Sequence, residues 1–205
     1  MDLIVCPTPV DYTVSIGNAS GNDCVKTWIQ ISIYDIGYTS KKEKEKDMEK
    51  KGFQDYYPDD FAICYGCGRL NEHGHQIKSY WDGDETVCRY QPEPYHTGAQ
   101  NFVYGGLVAS LIDCHATGTA SAAKHRQDGK DIETEPLARF VTASLHVDYL
   151  APVHIDREIL LRGRIDEIKG RKIVVSIDLF SKETLCAKGK VVAIQIPDDY
   201  LAKYK

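Results

Sequence analysis

One carboxylate, Asp113, stands among small and apolar residues in the run from Gly105 to Ala123, GGLVASLIDCHATGTASAA. Taking a carboxylate out of water is costly unless it has hydrogen-bond partners or a task. The same run opens on Gly105 and Gly106. A glycine pair at a helix start lets a ligand approach backbone N–H groups that no helical carbonyl satisfies. Free amides and an acid on one helix suit a site that holds an electron-rich oxygen and acts on it with the carboxylate. The plainer alternative is that Asp113 bonds a neighbouring hydroxyl or strand and only serves the fold.

These groups need a helix to carry them, and the pattern predicts one over Gly105–His125, about six turns long. Leu107, Val108, Leu111, Ile112 and Ala116 form its core face. Gly106, Ser110, Asp113 and Thr117 follow at helical steps and form a second, more polar stripe. Before the helix, Gln76–Trp81 and Glu85–Gln91 are two short strands around Asp82-Gly83-Asp84, and Pro92, Pro94 and Gly98 mark a loop. After it comes a polar insertion, Arg126–Pro136, and then four strands near Ala138–Leu150, Glu158–Ile168, Lys172–Ser181 and Thr184–Ile196. Tight turns at Lys169-Gly170-Arg171 and around Lys182-Glu183 join the later strands. One long helix followed by an antiparallel meander predicts an α+β fold with the sheet wrapped on the helix.

The N-terminal part has a different character. Val10–Ile16 and Val25–Ile36 alternate apolar and polar residues around a Gly/Asn-rich turn, the pattern of a hairpin. Lys41–Lys51, KKEKEKDMEKK, is a charged helix or linker. We therefore divide the chain into an N-terminal extension, 1–60, and a main domain, 61–205.

The chain has 205 residues, 42% hydrophobic and 27% charged, the composition of a globular protein. Its 25 basic and 30 acidic side chains give a net charge of −5, which offers no general basis for nucleic-acid binding. No apolar run approaches membrane-spanning length, and MDLIVCPTP lacks the basic and long apolar regions of a signal peptide. Seven cysteines, an odd number, fit free thiols in a reducing cytoplasm better than a disulfide framework.

Four motifs in order resemble the hotdog-fold acyl-CoA thioesterases of the PaaI-like thioesterase superfamily. Cys64-Tyr65-Gly66-Cys67-Gly68, with Asn71 and Gly74, is similar to the CxxCGxxNxxG lead-in of many members. His96, Gly98, Val103, Gly105, Gly106, Leu111 and Asp113 fall in register on the line HxGxxxxVHGGxxxxLxD. Val141–Pro152 resembles the strand that ends in Tyr-x-x-Pro, and Gly170-Arg171-Lys172 the Gly-Arg-Lys turn. The likeness covers about Phe61 to Pro197, and the chain resembles the branch that contains the mitochondrial carboxyl-terminal modulator protein.

The resemblance implies a hotdog fold and hydrolysis of an acyl-CoA thioester to a carboxylic acid and free CoA. It implies that the Gly106 N–H polarises the carbonyl, that Asp113 is general base or nucleophile, and that Thr142 orients the water or the carboxylate. Tyr104, Gly105, His96, Asn101 and Ser110 are expected to line the substrate cleft, with Arg171 and Lys172 as candidates for the CoA phosphates. It also implies a homodimer or homotetramer whose sites are shared between chains. No cofactor, nucleic-acid partner or membrane partner is expected.

One departure stands out: the family's histidine before Gly-Gly is Tyr104 here. Tyrosine donates a hydrogen bond but carries no positive charge at neutral pH. This leaves a second possibility, a regulatory module that binds acyl-CoA without turnover. Cys64, Cys67, His73 and His75 also raise the question of zinc. His73-Gly74-His75 lacks the usual three-to-five residue spacing between histidines. The expectation is therefore a tight loop with free thiols and no metal.

Overall fold

Helix α1 runs from Gly105 to Gln127 in the computed structural model, which describes residues 51–197 and 199–200. The expected hairpin over 10–36 and the lysine-rich run up to residue 50 lie outside the described residues. The helix continues two residues beyond the predicted end. Lys124, His125 and Arg126 occupy its last turn, where cations complement the carbonyl end of the helix dipole. Lys124 also pairs with Asp128 at 2.5 Å, and Gly129 follows at φ 66°.

Among the described residues six strands form one antiparallel sheet: β1 Ser79–Asp82, β2 Glu85–Tyr90, β5 Phe140–Tyr149, β6 Ile159–Lys169, β7 Lys172–Ser181 and β8 Thr184–Gln195. Their order is β1-β2-β6-β7-β8-β5. β3 Thr97–Ala99 and β4 Phe102–Val103 make a separate small hairpin that the sequence did not announce. The predicted strand from Gln76 begins only at Ser79. Gln76 lies at φ 48°, in the left-handed region, which breaks an extended run.

Alternation sets the sheet against the helix. Ile173, Val175, Ile177 and Leu179 of β7 are buried, as are Ile159 and Leu161 of β6 and Val191 and Ala193 of β8. They close over Leu107, Val108, Leu111, Ile112 and Ala116, the predicted core face of α1. At one point the sheet comes very near the helix. A Cβ at Gly189 would lie 2.2 Å from Ile112 Cγ2, so β8 requires glycine there.

A polar network fastens the remaining pieces to α1. His115 is fully buried; its Nδ1 bonds Ser79 Oγ at 2.8 Å, and Thr86 Oγ1 bonds Thr119 Oγ1 at 2.6 Å. Gln54 donates to Ser79 Oγ at 2.9 Å and accepts from Ser79 N–H at 2.8 Å. Gln54 lies in a short 3-10 turn, Phe53–Tyr56, and Phe53, Gln54 and Tyr57 are all buried. Phe53 and Tyr57, drawn above with the extension, therefore pack into the core of this unit.

Candidate active site

Asp113 projects from the half-buried stripe of α1, and the Thr142 hydroxyl donates a hydrogen bond to its Oδ1. β5 is pleated irregularly at this point. The register with β8 shifts between Thr142 and Ser144, the signature of a β-bulge. Bulges re-aim a side chain relative to a regular strand, and this one directs Thr142 to the helix. Burial is the main influence on Asp113 and holds its pKa above the ordinary carboxylate value. The bond from Thr142 acts in the opposite sense, and charge at Cys64 adds to the rise.

The N-terminus of α1 has no side-chain cap, so its first amides are left to a ligand or to water. Gly105 and Gly106 are exposed there. Tyr104 folds its ring over the second glycine: a Cβ on Gly106 would meet Tyr104 Cε2 at 2.4 Å. On the other side, Tyr149 donates its hydroxyl to the Gly105 carbonyl at 2.9 Å. Tyr149 stood in the Tyr-x-x-Pro motif, but nothing along the chain signalled that it would reach the Gly-Gly turn.

The remaining candidates separate. His96 is buried and accepts the Glu93 N–H on Nδ1 at 3.0 Å, which closes the loop before β3. Asn101 holds the left-handed turn of the small hairpin at φ 69°, and its carbonyl accepts from Ile155 N–H at 3.0 Å. Ser110 is half-buried on the Asp113 stripe, whereas Thr117 turns back to the Asp113 carbonyl at 3.1 Å. Arg171 and Lys172 sit at the β6–β7 turn. Thr142 and Ile173 both face Ala193 across the sheet, so this turn lies about two strand spacings, roughly 10 Å, from Thr142. Lys172 is ion-paired with Glu167 at 2.8 Å, and Arg171 is exposed.

One group beside Asp113 was missed altogether. Cys114 comes together with Cys64 and Cys67, and their three sulfurs lie within 4.8 Å of one another. Hydrogen bonds from the Cys114 and Cys67 thiols favour the Cys64 thiolate and hold its pKa far below the usual thiol value. The two histidines considered with these cysteines go elsewhere. His73 is exposed, and His75 packs against the rings of Tyr65, Tyr90 and His96. Adjacency to Asp113 was the only hint in the sequence that Cys114 borders the site.

Comparison with known proteins points in one direction. A profile of the thioesterase superfamily matches residues 100–188, which include α1, Asp113 and Thr142. A solved thioesterase superfamily protein from Shewanella loihica is 48% identical, covering 62% of this chain and 96% of that one, with a TM-score of 0.51. A second solved member of the superfamily, 22% identical with a TM-score of 0.51 and covering 64% of this chain and 62% of its own, shares the fold. The acyl-coenzyme A thioesterase THEM4 of Xenopus laevis is 30% identical over 97 residues, 47% of this chain and 38% of its own. THEM4 of Mus musculus is 27% identical over 164 residues, 77% of this chain and 59% of its own. The chain thus spans less than two thirds of the length of these curated relatives.

Proposed function

The chain belongs to the thioesterase superfamily, and from that premise we propose that it hydrolyses acyl-CoA thioesters to a carboxylic acid and free CoA. The observation that carries this reading is the Asp113 carboxylate, held by Thr142 on the one helix whose uncapped N-terminus is built from Gly105 and Gly106. The thioester carbonyl accepts the Gly106 N–H. As the carbonyl carbon becomes tetrahedral, negative charge grows on that oxygen, where the amide and the helix dipole favour it. Asp113 either takes a proton from the attacking water or attacks the carbonyl carbon itself, and in the second case water then cleaves the anhydride. In both routes the C–S bond breaks and the sulfur leaves as CoA thiol after protonation. Thr142 fixes the orientation of the carboxylate. Arg171, exposed at the β6–β7 turn, is the basic side chain we assign to the CoA phosphates.

We assign the site to two copies of the chain. Seven residues separate Gly106 from Asp113, which is about 10 Å of helix axis, while a carbonyl oxygen lies within about 3 Å of the amide it accepts from. The side chain of Asp113 leans back by only a few ångströms. An antiparallel second helix brings its own Asp113 to this Gly106. The edge strand β5 supports this arrangement. Among the described residues it pairs only with β8, and it exposes Leu145 and Tyr149, followed by Leu150.

Tyr104 favours a second reading, a module that binds acyl-CoA with little turnover, because a tyrosine stands where the family carries histidine and its ring packs against Gly106. One experiment separates the two. Thiol release is measured over a panel of acyl-CoAs of different chain length, with wild type beside Asp113→Asn. Hydrolysis requires release by wild type and a loss of about 100-fold or more in the variant, the scale of removing a positioned base. Equal rates would remove Asp113 from the chemistry, and binding without release would select the module.

A further inference from the structure

We propose that Cys64, Cys67 and Cys114 form an all-sulfur binding site for a soft d10 metal cation of the Zn2+ class. The proposal is independent of the hydrolase reading. It rests first on convergence. The three sulfurs lie within 4.8 Å of one another, with Cys64 and Cys114 at 3.9 Å. A cation bound at about 2.3 Å from each sulfur sets them about 3.8–4.0 Å apart, so a small contraction of the cluster suffices.

The loop is shaped for this approach. Gly68 N–H closes it on the Cys64 carbonyl at 2.8 Å, and Leu70 N–H bonds the Ala62 carbonyl at 2.9 Å. Asn71 adds a bond to the Ile63 carbonyl at 3.1 Å. Gly66 lets the loop reach the helix, because a Cβ there would stand 2.3 Å from Cys114 Sγ. Any side chain at 66 would push Cys64 and Cys67 away from Cys114.

The donor set chooses the ion. Thiolates select soft cations over hard, oxygen-seeking ones, and neither His73 nor His75 joins the group. Cys67 and Cys114 are buried, whereas Cys64 is exposed and gives the ion its way in. Binding converts each thiol to thiolate, so every sulfhydryl that coordinates releases one proton to solvent. No oxidant is consumed. The ion is held one residue from Asp113, on the same turn of α1.

The test uses the full chain, stripped of metal and handled without oxygen. Zn2+ is titrated against a chromophoric chelator, and Co2+ is added separately to read the sulfur-to-metal charge-transfer absorption. We expect one ion per chain and a charge-transfer band. Both should be lost in Cys64→Ser and in Cys114→Ser, and kept in His73→Ala. Cys64 is exposed, so its variant stays informative if Cys114→Ser does not fold. Stoichiometric binding that survives Cys64→Ser would overturn the proposal. So would the absence of a charge-transfer band in wild type. A third overturning result is the loss of two titratable thiols in air without zinc uptake, which would make the cluster a disulfide pair.

Discussion

The apolar interior and the hydroxyl of Thr142 pull on Asp113 in opposite directions, and burial prevails, so the carboxylate stands above its ordinary pKa and is the more basic for it. Tyr104 poses the sharper question at this scale. Its ring packs against Gly106, and an imidazole there would be smaller while still supplying a donor. Tyr104→His is expected to raise turnover by about 10-fold, less than the effect of a whole oxyanion donor. Steady-state kinetics across chain lengths checks this; unchanged rates and preference would leave Tyr104 a packing residue. His115 provides a test of stability. Burial pushes it down to about 4 from 6.5, although its bond with Thr86 opposes the shift. The unfolded chain therefore takes up this proton at higher pH than the folded one. The stabilisation is complete above about pH 6.5 and is lost as pH falls toward 4, by about 3 kcal/mol at 1.36 kcal/mol per pH unit. Urea midpoints of wild type should fall more steeply across that window than those of His115→Gln. Parallel slopes would show that another group carries the dependence.

Among the elements, the contact of β8 with α1 is the tightest point of the core. Gly189→Ala drives a methyl into Ile112, and overpacking of this kind costs about 1–3 kcal/mol. For a chain of this size that is a fall of several degrees in Tm. The double variant Gly189→Ala/Ile112→Ala should recover part of the loss, since the new methyl then finds room. A calorimetric scan in which the two changes simply add would show that the strand had moved instead. The bulge in β5 has the complementary role, as it gives up one step of regular pairing to aim Thr142 at the helix. The elements that pattern announces are the long ones. α1 and the strands β5 to β8 stand within two residues of their predicted bounds. The two- and three-residue strands β3 and β4 are too short to show any period, and only their tertiary setting makes them strands.

For the whole molecule, the prediction concerns assembly. If each site takes Gly106 from one chain and Asp113 from another, two inactive variants should complement. Asp113→Asn and Gly106→Val, denatured together and refolded, should regain activity through heterodimers with one intact site. Refolded separately, neither should be active. Failure to complement, with both variants folded and paired, would return the whole site to a single chain.

The class of fold, the central helix with its apolar face, and the place of Asp113 and Gly106 along it were legible in the chain alone. These follow from periodicity, from glycine at a helix start and from the anomaly of a lone acid, all local properties of the chain. The family likeness was legible for the same reason, since its motifs are short and occur in order. Which distant groups meet was set by the folded chain. Thr142 reaches Asp113 because a bulge turns it. Tyr149 reaches Gly105 across the end of the sheet. Phe53, Gln54 and Tyr57 join the core although they precede the main motifs. Cys114 meets Cys64 over a separation of fifty residues, with Cys67 beside them, while His75, their near neighbour in sequence, turns into a cluster of aromatic rings. Spacing along a chain fixes which residues share a helix face or a strand face. Which faces then come together depends on how the sheet closes over the helix, and that is settled by packing.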